Sequence, residues 1–121
     1  MKPFIPFLWL ASIRSATAQA DITVGIILSA TGPGASLGIP ELNTVTLLPK
    51  EIAGQAVKYI VLDDASDSTA AAKNARKLVS ENKVDLLIGS TTVPTSAAVA
   101  QIAKESRTAQ IALAPYSPAN G

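Results

Sequence analysis

Residues 84–96 read VDLLIGSTTVPTS, and this stretch decides the fold of the chain. Four of its first five residues are apolar, which is typical of a strand buried on both faces in a parallel sheet. Gly89 ends the strand, and the next residues combine a hydroxyl-rich turn with the start of a helix. Hydroxyls and free backbone N–H groups at a helix start can receive a carboxylate, so one interpretation is a ligand site. The alternative is that Thr95 or Ser96 only caps the helix.

Strand-like and helix-like segments alternate from residue 21 onward. β-Branched runs predict strands, and apolar residues at helical spacing predict helices. Pro40 is expected in the first turn of the first helix, and Asp67 and Ser68 are expected to precede the second. The predicted strands cover residues 22–28, 57–62, 84–88 and 111–114, and the predicted helices cover residues 39–51, 69–81 and 95–106. This order predicts an α/β fold: a parallel, Rossmann-like sheet with helices on both faces.

Four loops follow the carboxyl ends of the predicted strands. They cover residues 30–38, 63–68, 90–96 and 115–121, and three of them are rich in glycine or hydroxyl residues. Ligands of open parallel sheets bind beyond the carboxyl ends of the strands. We therefore expect the hydroxyl-rich turn to form part of a binding edge.

The first twenty residues differ in kind from the rest and predict a secretion signal. Lys2 provides the positive charge, residues 4–13 form an apolar core, and small residues ending at Ala18 or Ala20 provide cleavage sites. We expect cleavage after Ala20. A membrane-spanning helix needs about 20 apolar residues, and this run is shorter and contains Pro6 and Arg14. The mature chain is therefore expected in the periplasm.

Composition excludes several classes of function. Without the leader, eight basic and nine acidic residues remain, so no basic surface for nucleic acid is expected. The chain contains no cysteine and no histidine, which excludes disulfides, thiolate nucleophiles, histidine-dependent triads and the usual zinc ligands. Cofactors are not expected, and the mature core must be built mainly from aliphatic side chains.

Two motifs have competing interpretations. Gly32, Gly34 and Gly38 follow the first strand with a spacing similar to a dinucleotide-binding loop, and Asp63 or Asp64 would then be the ribose acid. The interval to these acids is about 30 residues rather than about 20, which favours a plain loop. Asp63, Asp64 and Asp67 also have oxygen ligands for a cation, but caps and solubilising charge explain them better, and no metal site is predicted.

The quoted segments together resemble the opening of a known family. ITVGIILSATGPGASLG, YIVLDDASDSTAAAKNARKLV, VDLLIGSTTVPTSAAVAQIAKES and AQIALAPYSP are similar to the periplasmic leucine/isoleucine/valine-binding proteins, the receptors of branched-chain amino-acid ABC transporters. The resemblance covers nearly all of residues 21–121. It implies a partial N-terminal lobe of a two-lobed type I periplasmic binding protein, which is not an enzyme, is expected as a monomer and docks on a membrane permease.

The resemblance also implies where a ligand binds. The family holds a ligand's carboxylate and amino group with the turns after the third and fourth strands, here residues 90–96 and 114–118. Val93 replaces a serine usual in the family, which shifts the emphasis to backbone N–H groups and admits an aromatic or hydroxylated acid beside an amino acid. The predicted contacts are Leu37, Gly38, Thr91, Thr92, Thr95, Ser96 and Tyr116.

Three functions remain open from the sequence. The first is a transport receptor for an amino acid or a related small carboxylate. The second is a fragment of a nucleotide-binding oxidoreductase, and the third is the ligand-sensing domain of a receptor with the same fold. Export favours the first and third over the second.

Overall fold

The computed structural model of this chain describes Pro3 and residues 21–117. The leader predicted for residues 1–20 and the last four residues therefore lie outside the described part, apart from Pro3. The elements in chain order are β1 (Ile22–Leu28), α1 (Ala35–Val45), β2 (Glu51–Ile52), β3 (Gln55–Asp63), α2 (Ser68–Ser80), β4 (Leu86–Ile88), α3 (Val93–Ser106) and β5 (Ala109–Ile111). Within the described residues, no helix is sufficiently long and apolar to cross a bilayer.

The five strands form one sheet with the order β2-β3-β1-β4-β5. Strand β1 lies at the centre and pairs in parallel with β3 on one side and with β4 on the other. Strand β5 continues the parallel arrangement beyond β4, and β2 pairs antiparallel with the start of β3. The prediction of a parallel sheet is confirmed, and its order reverses beside β1, where loops on either side diverge and leave room for a ligand.

The helices lie on both faces of the sheet, as predicted. Helices α2 and α3 cover one face, where buried aliphatic residues from both helices pack against Ile27 and Leu87. Helix α1 covers the other face together with Leu48, against residues such as Val24, Ile26 and Leu28. Alternate residues of β1 therefore enter two different cores, as the two-residue period of a strand requires.

Helix α1 begins and ends earlier than predicted. The predicted helix covered residues 39–51, whereas the observed helix runs from Ala35 to Val45, with Gly34 as its N-cap. Pro40 therefore lies inside the helix rather than in its first turn, where it leaves one main-chain hydrogen bond unmade. Gly38 permits the earlier start, because its buried Cα packs directly against the main chain of Ser29.

A short hairpin replaces the end of that predicted helix. Strand β2 contains only Glu51 and Ile52, and Ala53 and Gly54 turn the chain with φ values of 51° and 78°. Two successive residues with positive φ are typical of a type I′ hairpin. The predicted turn at residues 53–55 is thus close to the observed one, but the strand before it was not predicted.

Two further boundaries differ near α3. The helix begins at Val93 rather than Thr95, because Thr92 supplies the cap. Strand β5 lies at residues 109–111 rather than 111–114, because Arg107 ends α3 in a left-handed conformation and the chain enters the sheet after Thr108. Helix α2 agrees with its prediction to within one residue at each end, with Asp67 accepting hydrogen bonds from Thr69 and Ala70.

Candidate functional site

The candidate site lies at the carboxyl ends of β1, β3 and β4, where three loops meet. They are residues 29–34, which lead into α1, residues 64–67, which lead into α2, and residues 89–92, which lead into α3. Side-chain hydrogen bonds join residues more than 25 positions apart in the sequence, so the loops form one connected edge. We call these three loops the binding edge.

Asp64 joins all three loops of the binding edge. Its carboxylate is fully buried. One oxygen accepts hydrogen bonds from the Ser29 hydroxyl at 2.8 Å and the Ser66 N–H at 2.9 Å, and the other accepts from the Ser90 hydroxyl at 2.5 Å. From the sequence, Asp64 was interpreted as a cap or solubilising charge in preference to a ribose or metal ligand, although an acid directly after a buried strand was the available signal for a buried role.

Thr91 links the binding edge to α1. Its side chain is buried, and its hydroxyl accepts a hydrogen bond from the Ser29 N–H at 2.8 Å and donates one to Glu41 at 2.6 Å. Both hydrogen-bonding roles of this hydroxyl are therefore filled within the chain. Thr91 fixes the relative positions of the first loop and the start of α3.

The predicted contacts Thr92, Thr95 and Ser96 come together at the N-terminus of α3. Thr92 and Thr95 form a capping box, in which each side chain bonds to the main chain of the other. Thr95 and Ser96 are fully buried, and the Ser96 hydroxyl donates to the Ser90 carbonyl at 2.5 Å. The N-cap is therefore Thr92 rather than Thr95 or Ser96, although Thr95 takes part in the capping box, and ligand contact by these hydroxyls stays a prediction.

The main chain of the same turn offers a different set of donors. The N–H groups of Ser90, Thr91 and Val93 have no hydrogen-bond acceptor within residues 21–117. They lie at the N-terminus of a 14-residue helix, where the aligned peptide dipoles favour negative charge. The turn therefore places free backbone donors at the positive end of the α3 dipole.

The remaining predicted contacts lie on α1 and after β5. Leu37 is 60% exposed in the first turn of α1. Gly38 is buried one position further on, where a Cβ atom would approach the Ser29 carbonyl oxygen to 2.0 Å, so it supports the first loop from behind. Tyr116 follows β5 and is 38% exposed.

The glycines that resemble a dinucleotide motif are explained by contacts between loops. A Cβ atom on Gly32 would lie 2.5 Å from the Ala65 carbonyl oxygen, and one on Gly34 would lie 2.9 Å from the Thr92 side chain. Gly32 also has a φ of 79°, which favours glycine. These residues let the three loops pack closely, and their presence needs no bound nucleotide.

Asp63 organises the first two loops from the solvent side. Its carboxylate accepts hydrogen bonds from the Thr31 hydroxyl at 2.6 Å and from the N–H groups of Ala30, Thr31 and Ala65. Partial burial alone would raise the pKa of Asp63, but these hydrogen bonds outweigh it and hold the pKa below its ordinary value. Among the described residues, no group of three or more acidic side chains is arranged to hold a metal ion.

An apolar groove of about 300 Å³ lies beside the binding edge, between α1 and the β4–β5 side of the sheet. Its walls are aliphatic except for Glu41 and Thr44. Ile111 and Leu113 in its lining are 53% and 42% exposed. The α1 face is therefore less completely covered than the α2–α3 face.

Comparison with known proteins identifies the class of this chain. A family model described as a periplasmic binding protein matches residues 21–121. The chain therefore belongs to this family of ligand-binding proteins, whose fold is that of a type I periplasmic binding protein lobe. No curated protein matches the chain significantly.

Solved structures with this fold show the breadth of the class. An extracellular ligand-binding receptor from Rhodopseudomonas palustris HaA2 is 48% identical, with a TM-score of 0.80 over 82% of this chain and 28% of that one. A solute-binding protein of an ABC transporter from R. palustris BisB5, in complex with 3,4-dihydroxybenzoic acid, is 28% identical, with a TM-score of 0.73 over 78% and 27%. A leucine-binding protein from Thermotoga maritima MSB8 is 25% identical, with a TM-score of 0.73 over 79% and 28%. The chain thus spans less than a third of the length of each protein.

Proposed function

We propose that this chain forms part of the first lobe of an exported receptor that delivers a small carboxylic acid to a membrane ABC permease. The observation that carries the proposal is the set of N–H groups at the start of α3 that have no acceptor among the described residues, in a chain that belongs to the periplasmic binding proteins. Cleavage of the leader after Ala20 and a monomeric receptor are parts of the same proposal.

The carboxylate of the ligand binds to the turn that precedes α3. The N–H groups of Thr91 and Val93 donate to its oxygens, and the positive end of the α3 dipole stabilises its charge. Thr91, Thr92, Thr95 and Ser96 contribute by fixing the turn, since their hydroxyls already bond within the chain. Leu37 and Tyr116 line the cleft, and Gly38 holds the first loop in place.

Two ligand classes fit this arrangement. An α-amino acid such as leucine is consistent with the likeness to the T. maritima protein. An aromatic or hydroxylated acid is favoured by the exposed Val93 and Tyr116 side chains, because an apolar side chain and a ring can pack against an aromatic ligand. The likeness to the BisB5 protein with bound 3,4-dihydroxybenzoic acid supports this second class.

A single main-chain donor can be removed to test the proposal. Val93 is the first residue of α3, and Thr92 before it is extended with φ −107° and ψ 159°. Thr92 has the extended conformation that is favoured before proline, and proline suits the first position of a helix, so Val93→Pro removes the N–H and places prolines at both 93 and 94 in the first turn. Titration calorimetry compares full-length wild type and Val93→Pro with leucine and 3,4-dihydroxybenzoate. For the ligand that the wild type binds, we expect the binding free energy of Val93→Pro to be weaker by about 1.5–3 kcal/mol.

Val93→Ala is the matched control, because it removes the side chain and keeps the N–H. We expect Val93→Ala to lose less affinity than Val93→Pro, since the N–H donor is unchanged and only the packing of the side chain is lost. Equal affinities for the wild type, Val93→Pro and Val93→Ala would contradict carboxylate binding by this turn.

A further inference from the structure

Asp64 lies behind the binding edge and is not exposed to a ligand. Its side chain has no accessible surface, and all its hydrogen bonds go to Ser29, Ser66 and Ser90. Each partner comes from a different loop. Asp64 is therefore the one acid among the described residues that contacts all three loops of the binding edge directly.

The contacts of Asp64 extend to the turn of residues 89–93 by two routes. The first is direct, because the Ser90 hydroxyl donates to Asp64 at 2.5 Å and the Ser90 carbonyl accepts from Ser96. The second passes through Ser29, whose hydroxyl donates to Asp64 and whose N–H donates to Thr91. The positions of Ser90 and Thr91 thus both depend on one buried carboxylate.

We infer that Asp64 is a positioning residue for ligand binding, which holds the turn of residues 89–93 so that its N–H groups converge on a carboxylate. The ligand named in this inference rests on the proposed function, whereas the effect of Asp64 on the position of the turn does not. A carboxylate suits this role, because each of its oxygens accepts from a donor. An asparagine could keep the oxygen that accepts from Ser29 and Ser66, but its N–H₂ group would have to donate to the Ser90 hydroxyl, so that hydrogen bond would be reversed and would lose its charge assistance.

The first experiment requires no ligand. Hydrogen–deuterium exchange of the full-length protein, followed by mass spectrometry of the peptide that contains residues 89–93, compares the wild type with Asp64→Asn. We expect exchange of the Gly89 and Thr92 N–H groups, which are the hydrogen-bonded amides of this turn, to be about tenfold faster in the variant, because the turn opens locally. Unchanged exchange there would overturn the inference.

Asp67→Ala is the matched control, since it removes a carboxylate from the same loop and destabilises α2 by removing its cap. Its exchange should rise in α2 and not selectively in residues 89–93. Ser29→Ala removes one donor to Asp64 and should shift exchange of the turn in the same direction by less than Asp64→Asn. Ser29→Ala therefore replaces Asp64→Asn as the test variant if Asp64→Asn does not fold. Unchanged exchange of the turn in Ser29→Ala would then count against the inference.

The second experiment compares 3,4-dihydroxybenzoic acid with its uncharged carboxamide as calorimetric probes. A positioning role predicts that Asp64→Asn weakens binding of the acid by about tenfold while binding of the amide changes by less than about twofold. An acid-to-amide preference equal to that of the wild type would overturn the inference. A wild type without preference for the acid would instead refute carboxylate binding, and the exchange experiment would still decide the role of Asp64.

Discussion

The two faces of the sheet differ in how completely helices cover them. On the α2–α3 face, Ile27, Leu78, Leu87 and Val99 have no accessible surface. On the α1 face, a single helix leaves a groove in which Ile111 remains half exposed. Stability is therefore expected to come mainly from the α2–α3 face, because packing on the α1 face is less complete.

The largest expected effect tests this difference directly. Leu78→Ala removes a fully buried side chain from the α2–α3 face and should lower the free energy of unfolding by about 2–5 kcal/mol. Leu48→Ala on the α1 face, where the side chain lines the groove, should cost only about 1 kcal/mol. Urea denaturation followed by circular dichroism measures both, and equal costs would show that the α1 face is as tightly packed as the other.

A second pair of variants places one methyl group on each face. Gly38→Ala would push a Cβ atom against the Ser29 carbonyl oxygen, which is main chain and cannot move aside. Gly25→Ala meets the end of the Leu78 side chain at 2.8 Å, which can shift. In the same denaturation assay, we expect Gly38→Ala to lower the free energy of unfolding by about 3 kcal/mol and Gly25→Ala to lower it by about 1 kcal/mol. A reversed order would mean that α1 adjusts more readily than the α2–α3 core.

The smallest expected effect concerns Asp63, which ties the loop before α1 to the loop before α2. Because its pKa is lowered in the folded state, its contribution to stability is complete above the unfolded pKa of about 4 and is lost as the pH falls through the folded value. Asp63→Asn should therefore flatten the acid-side loss of stability between about pH 5 and pH 2. Urea denaturation at a series of pH values measures the free energy of unfolding of both proteins. If it falls equally with pH in the wild type and Asp63→Asn, the loss belongs to other carboxylates.

The parts of the fold that local patterns determine were predictable from sequence. β1 has its predicted bounds, and α2 combines a regular apolar stripe with a strong cap at Asp67. α1 was predicted wrongly because its start depends on Gly38 packing against Ser29, a contact between parts of the chain that the helical pattern does not report. The two-residue strand β2 is exposed and too short to show an alternating pattern.

The candidate site was predictable in place but not in detail. The hydroxyl-rich turn was located correctly at the carboxyl edge of the sheet, because parallel strands bring their following loops together. Which hydroxyls are already bonded within the chain depends on tertiary partners such as Glu41 and Ser90. Asp64 was overlooked as a structural centre for the same reason, since its three partners come from three loops.

The hairpin formed by β2 and β3 makes the two edges of the sheet different. β2 offers only Glu51 and Ile52 to a neighbouring chain, and such short edge strands discourage further pairing. At the opposite side, β5 pairs only with β4 among the described residues. Any strand added to this sheet should therefore join at β5 rather than at the β2 hairpin.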